Sequence, residues 1–460
     1  MEIIGHRLTR DQRKQDGTDR EINESELDEG FQRLSPVEEA WYPDGSVDDF
    51  GTGYTINHPN ATQCRGSNLE PGTGVYAASR GYRLVEFPML IGVPKEVKTH
   101  EYRVGLTPGS VREIVHHGHE VVVETGAGAG VGFEDASYEA VGARTLSSKT
   151  EVFATAELIV KVKEPQPQEA ALLRDGQVLF TYLHLAAAKV LAQALLRSGV
   201  IAIAYETVTD PRGGLPLLAP MSEVAGRMAV QVGAHCLEKE QGGIGVLLGG
   251  VPGVPAAKVV ILGGGVVGTH AAHIALGMGA EVWVLDRNVD VLKNLWRQFG
   301  RPLNTVFSTR EAVEKHCRTA DLVVGGVLIP GAAAPKLVDR KLVSEMKPGS
   351  VIVDVAIDQG GCFETSHPTT HDAPTYVVDG VIHYCVANMP GGVPRTSTFA
   401  LNNATLPFIL ALADKGWKQA LGENPHLLAG LNVSKGHVTY KAVADSLGYK
   451  FQEPKLALAG

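Results

Sequence analysis

The sequence predicts an α/β protein of two Rossmann-like parallel-sheet domains, one inserted into the other, with a cleft between them. Three observations carry this. From Met89 onward, short β-branched apolar runs alternate with amphipathic stretches. The alternation comes in two blocks, the second opening near Lys258. At the head of the second block an apolar run at 259–262 leads straight into Gly263-Gly264-Gly265-Val266-Val267-Gly268.

In the first block the runs at 119–124, 157–162, 178–182 and 200–205 are predicted strands, with helical patterns at 110–117 and 187–197 between them. Ser222, after Pro220-Met221 and before Glu223, reads as the N-cap of a helix reaching about Glu240 and ending at Gly242-Gly243. In the second block the runs are 258–262, 281–285, 321–328, 350–355 and 381–386. After Pro394 the pattern is helical, from Ser397 to about Lys415 and on to the end. The expected division is therefore a substrate domain of residues 89–221 and 394–460, with a nucleotide domain of 222–393 inserted into it.

Residues 1–88 differ from the rest. Within 1–50 there are 14 acidic and 6 basic side chains, and large apolar residues are too few for a core. This segment reads as a disordered extension, or as upstream sequence with the natural start at Met89.

Composition narrows the function. The net charge of −9 disfavours broad nucleic-acid binding, which needs a basic surface. No apolar run reaches the roughly 18 residues of a membrane span. The five cysteines are scattered and show no C-x-x-C, as expected of reduced thiols in a cytoplasmic protein without a metal site.

The second block opens with strand, G-x-G-x-x-G, helix, strand and acid within about 30 residues. Gly263 permits the tight turn out of the strand. Gly265 lets backbone, followed by Val266, approach a pyrophosphate, and Gly268 lets the helix pack closely on the sheet. Free N–H groups at the helix start favour phosphate. Asp286 is placed to accept hydrogen bonds from an adenosine ribose, which favours NAD over NADP. Arg287 directly after it softens that preference.

Chemistry on a small 2-amino or 2-oxo acid needs a cation for its carboxylate, a donor for its carbonyl and an acid/base group. Arg103, Lys163, His184 and Asp358 are the candidates, the last three at predicted strand ends. Taken alone, Arg103 also suits a surface arginine, Lys163 a solvated turn lysine, His184 a buried packing residue and Asp358 a structural turn carboxylate.

These residues lie in stretches that together resemble the alanine dehydrogenase family, which also includes the nucleotide-binding subunit of transhydrogenase. The stretches are Gly92-Val93-Pro94-Lys95-Glu96, Glu101-Tyr102-Arg103-Val104, Lys161-Val162-Lys163-Glu164-Pro165 and Leu183-His184-Leu185-Ala186. Others are Ala219-Pro220-Met221-Ser222-Glu223-Val224-Ala225-Gly226-Arg227, Gly249-Gly250-Val251-Pro252-Gly253-Val254, Asp354-Val355-Ala356-Ile357-Asp358-Gln359-Gly360-Gly361 and Asn388-Met389-Pro390. The resemblance runs in order from 89 to about 455. It implies reversible NAD-dependent oxidative deamination of L-alanine to pyruvate and ammonium, by a cytoplasmic homohexamer. It also implies roles. Arg103 and Lys163 would be the substrate-binding pair, Arg103 as a bidentate clamp on the carboxylate and Lys163 holding the carboxylate or the developing carbonyl oxygen. His184 would be the acid/base, and Asp358 the second catalytic residue beside the nicotinamide. Ser222, Asp286, Ser308, Val327, Leu328, Val355, Ala356, Ile357, Asp358, Val386, Ala387, Asn388 and Met389 would contact NAD. The competing readings are a transhydrogenase subunit that docks on a membrane partner, a lysine-pathway dehydrogenase, and a non-catalytic NAD sensor.

Overall fold

The computed structural model describes residues 88–327 and 334–459. All but Pro88 of the expected extension, and Leu328 of the expected cofactor contacts, lie outside the described residues.

Among the described residues fifteen strands form two sheets. In the first lobe, β1 (Leu90–Val93), β2 (Glu120–Glu124), β3 (Arg144–Leu146), β4 (Leu158–Val160), β5 (Val178–Thr181) and β6 (Ile201–Ala204) pair in parallel in the order β3-β2-β1-β4-β5-β6. The second lobe repeats that order with β7 (Lys258–Leu262), β8 (Glu281–Asp286), β9 (Leu303–Phe307), β10 (Leu322–Gly325) and β11 (Val351–Asp354). Here the order is β9-β8-β7-β10-β11, continued by β13 (Val381–Tyr384) and its antiparallel partner β12 (Thr375–Val378). Each sheet thus reverses direction beside its first strand, between β1 and β4 and between β7 and β10. Crevices outside the carboxyl ends of strands form at such reversals. The central strands are apolar at nearly every position because helices cover both faces. In β5, β10 and β11 every residue is buried.

The C-terminal segment returns to the first lobe. β14 (Leu431–Ser434) pairs antiparallel with β6 and with β15 (His437–Val438). The sequence predicts helix throughout this region, whereas the structure forms strands at Leu431–Ser434 and His437–Val438. Between β14 and β15 the turn residues Lys435 and Gly436 have φ of 43° and 83°. Asp379-Gly380, with φ of 50° and 81°, plays the same part between β12 and β13. Two-residue turns with positive φ match the twist of a hairpin.

Two helices join the lobes. Ala219–Cys236 carries the chain into the second lobe and packs on Val266–Gly277. A Cβ at Gly226 would lie 2.3 Å from the Val267 carbonyl oxygen, so only glycine allows this approach. Pro394–Glu423 carries the chain back, with a break at Gly416 (φ 72°). Ser222 is not an N-cap. The helix begins at Ala219, because Pro220 is tolerated in a first turn that needs no N–H from it, and Ser222 lies one turn inside. The helix also ends earlier than expected, at Cys236.

Candidate functional site

At the β7/β10 reversal a cavity of about 510 Å³ opens between the lobes. Gly263 turns out of β7 with φ of 96°, and a Cβ there would meet the Gly326 carbonyl oxygen at 3.0 Å. A Cβ at Gly268 would sit 1.9 Å from the Gly263 carbonyl oxygen, so glycine is needed to seat the helix on the turn. Gly265 differs: nothing lies within 4 Å of a Cβ built on it, and it lines the open cavity. Asp286 ends β8 at the cavity wall. Its two carboxylate oxygens accept the Gly264 and Asn288 N–H groups, both at 2.7 Å, and keep lone pairs for a further donor. Ser222, Gly263, Gly265, Val266, Asp286, Ser308 and Val327 line this cavity; Gly268 supports it from behind.

The remaining expected contacts lie elsewhere. Asp358 does not end a strand: β11 stops at Asp354, and Asp358 sits exposed on the one-turn helix Val355–Gln359. Ile357, Val386 and Met389 are buried apolar residues. Val355, Ala356 and Ala387 are partly buried and, like these three, do not line the cavity. Asn388 takes φ of 63° and faces the first lobe.

Arg103 is almost fully buried. Its Nε and Nη2 each donate to Glu101 at 2.6 Å, Nη2 also donates to Asn388 Oδ1 at 2.8 Å, and Nη1 donates to Met221 Sδ at 3.0 Å. Asn388 Nδ2 closes the network on Glu101 at 3.1 Å. Burial opposes ionisation of Glu101, but the hydrogen bonds and charge of Arg103 outweigh it and hold the carboxyl below its usual value. The expected bidentate clamp of Arg103 on a substrate is therefore revised. Its forked edge is taken by Glu101, and the nitrogen left for a ligand is Nη1, whose sulfur partner is a weak acceptor.

Lys163 follows β4 on a strand end fixed from below. Glu96 accepts the Val162 N–H at 2.7 Å, while the buried Lys161 ammonium donates to Glu96 at 3.0 Å and Glu169 at 2.9 Å. Among the described residues the Lys163 ammonium has neither a hydrogen bond nor an ion pair. Burial, then the charges of Arg103 and Lys98, push it below the usual lysine value, with Glu164 and Asp358 opposing. The charges of Arg103, from the first lobe, and Asp358, from the second, thus both act on this ammonium.

His184 adopts a left-handed conformation (φ 48°) two residues after Tyr182. Its N–H donates to Glu206 at 2.6 Å, and its ring lies parallel to that of Tyr182 at a centroid distance of 5.8 Å. Nδ1 is 3.9 Å from the same Glu206 carboxylate, and the side chain is half exposed. The Tyr182 hydroxyl donates to the Leu217 carbonyl at 2.6 Å, and burial raises its pKa, keeping it neutral.

Sequence reasoning missed Glu101 and Glu206 as partners, and it missed the turn Gly213-Gly214 that lines the cavity. Asp210 accepts the Arg212 and Gly214 N–H groups at 2.8 Å, so the run Asp-Pro-Arg-Gly-Gly was a readable turn signal. The two acids had no local signal.

Comparison with known proteins agrees with this architecture. Residues 92–225 match the family model for the alanine dehydrogenase/PNT N-terminal domain, and residues 229–441 match its C-terminal domain. The chain is 62% identical over 365 residues to an alanine dehydrogenase of Halomonas elongata, covering 79% of this chain and 98% of that one. It is 57% identical over 371 residues to an alanine dehydrogenase of Bacillus subtilis, covering 80% and 98%. Among solved structures, an L-alanine dehydrogenase superposes with a TM-score of 0.76 at 54% identity, covering 78% of this chain and 99% of that one. A transhydrogenase from Sinorhizobium meliloti superposes with a TM-score of 0.66 at 27% identity, covering 77% and 99%. The chain belongs to the alanine dehydrogenase/PNT family.

Proposed function

We propose that the chain catalyses the reversible NAD-dependent oxidative deamination of L-alanine to pyruvate and ammonium. What supports this most is the fingerprint cavity at the β7/β10 reversal, beside the mutual action of the Arg103, Lys163 and Asp358 charges and the half-exposed imidazole of His184. The open space beside Gly265 and the partly engaged Asp286 fit a dinucleotide. Ser222, Asp286 and Ser308 would hold it. The expected contacts at Leu328, Val355–Asp358 and Val386–Met389 belong to the same proposal. Residues 89–221 with 394–460 serve as the substrate domain and 222–393 as the cofactor domain. Among the described residues no helix is long and apolar enough to cross a membrane. We place the enzyme in the cytoplasm as a homohexamer.

In the mechanism, Arg103 Nη1 and the Lys163 ammonium take the substrate carboxylate. The bound cofactor supplies a hydride acceptor for the substrate Cα, which leaves an imine. His184 removes a proton from the attacking water as the carbinolamine forms and passes it on to the amine nitrogen. The freed imidazole then takes the hydroxyl proton as the C–N bond breaks, the carbonyl of pyruvate forms and neutral ammonia leaves. Glu206 beside Nδ1 favours a proton on that nitrogen, which leaves Nε2 as the base. Asp358 orients the amine and helps move its proton. Closure of the lobes would exclude bulk water from the hydride path.

The test is oxidation of NADH by pyruvate and ammonium, without membranes. Ammonium-dependent turnover supports the proposal. NADH binding without turnover would sink it and favour the transhydrogenase-like or sensor reading.

Lys163 makes a pH prediction. Its attraction for a carboxylate needs the protonated ammonium, and its pKa is lowered. Affinity for pyruvate, which has no amine to titrate, is therefore expected to fall as pH rises, at a lower pH than an ordinary lysine would give. Lys163→Arg, which stays charged, is expected to flatten that limb. An unchanged limb in Lys163→Arg would remove Lys163 from carboxylate binding.

A further inference from the structure

We propose that His100 and Asp372 are a positioning pair. They tie the first lobe to the loop that supports Asn388, and so hold the Arg103–Asn388 end of the cleft in place for a substrate carboxylate. This rests on the reading that Arg103 and Lys163 take the carboxylate of a small 2-oxo acid. His100 Nε2 donates to Asp372 Oδ2 at 2.6 Å, from the first lobe to the loop between β11 and β12 of the second. A neutral ring satisfies both nitrogens there, since Nδ1 lies 3.3 Å from the Tyr102 hydroxyl and can accept its proton.

The surroundings of the pair are close-fitting. His100 has a φ of 58°, a left-handed conformation that His, Asn and Asp take more readily than other side chains. The turn it forms, closed by the Glu101 N–H on the Lys98 carbonyl oxygen at 3.0 Å, presents the imidazole to the second lobe. There the ring meets His371 edge to face, with centroids 6.2 Å apart. A Cβ on Gly391 would lie 3.3 Å from the His100 carbonyl oxygen, and one on Gly392 would lie 2.9 Å from the His371 ring. The turn Met389–Gly392 is thus pressed against both histidines. The Asp372 side chain is 74% exposed, so the pair adds little to stability and its effect is on placement.

The loop that carries Asp372 is laid along the chain that leads to Asn388. The Thr369 N–H donates to the Cys385 carbonyl at 2.9 Å, and the Ala387 N–H donates to the Thr369 carbonyl at 3.2 Å. His371 Nε2 lies 3.4 Å from the Asn388 carbonyl oxygen. Asn388 in turn holds Arg103 through Oδ1 and Glu101 through Nδ2. The His100–Asp372 contact and the Arg103–Asn388 contact are therefore two parallel ties between the same two segments, one at the surface and one buried.

Steady-state kinetics of the full chain with pyruvate, at saturating NADH and ammonium, test this together with amide exchange over residues 364–389. His100→Asn keeps a residue suited to the left-handed turn but is too short to reach Asp372. His100→Asn and Asp372→Ala are each expected to raise KM for pyruvate about fivefold, with kcat within about twofold. The double variant is expected to show the same rise and not the product of two, because one contact is lost either way. His100→Gln, whose amide N–H stands near the place of Nε2–H, is expected to return KM to within about twofold of the wild type. An unchanged KM in both single variants would overturn the proposal, as would rises that multiply in the double. Exchange over 364–389 is expected to quicken in both single variants without any substrate present, and unchanged rates would overturn the tie. If the wild type did not turn over pyruvate at all, the proposed reaction would fall, and the exchange rates would decide the tie alone.

Discussion

Replacing His184 by alanine is expected to lower kcat by about 10²–10⁴-fold, the range that a positioned acid/base group contributes. NADH affinity is expected to stay within about twofold. His184 is on the first lobe and does not line the nucleotide cavity, so the two readouts separate. Its backbone conformation explains why this position carries a freely presented ring. The left-handed turn, capped by Glu206, swings the imidazole out of β5 and lays it against Tyr182. A variant retaining most of its turnover would end the assignment.

Arg103→Ala is expected to damage stability as well as activity. Removing the guanidinium leaves Glu101 buried without a cation, which costs about 3–5 kcal/mol. In the wild type, Glu101 has a folded-state pKa below its ordinary value. Its contribution to stability is therefore present at neutral pH and lost as pH falls through the acid range. In the variant the sign reverses, because burial without a partner favours the protonated acid. The stability gap between the two proteins should thus narrow on acidification, as urea unfolding at two pH values would show. Glu101→Gln/Arg103→Met, which removes both charges, is expected to recover much of the loss without recovering substrate affinity. A gap that does not change with pH would mean that the ion pair is not what the arginine supplies.

The difference between these two sites and the nucleotide cavity lies in sequence separation. The turn at Gly263–Gly268, the helix behind it and Asp286 sit within about 30 residues of one another; Gly268 answers a steric demand inside the turn, and Gly265 lines the open cavity. That pattern could be read directly. Arg103 could be identified as a candidate, but its partner Asn388 is 285 residues away. Nothing near Arg103 indicated that its fork would already be occupied. Lys163 was visible at a strand end, whereas the buried Glu96–Lys161–Glu169 cluster that fixes that end was not. The C-terminal hairpin was misread because four-residue strands carry little periodicity, although Lys435-Gly436 offered a turn signal.

The sequence by itself determined the α/β class, the place of the nucleotide turn and the acid that ends β8. These depend on side-chain alternation, glycine sterics and short-range order, all local properties of the chain. Only the tertiary structure decided which edge of Arg103 stays available, how Glu206 presents His184, and that Lys163 feels Asp358 across the cleft. Those outcomes depend on which distant segments the two sheets bring together and on the cost of burying each charge, and neither is encoded at the position where the residue stands.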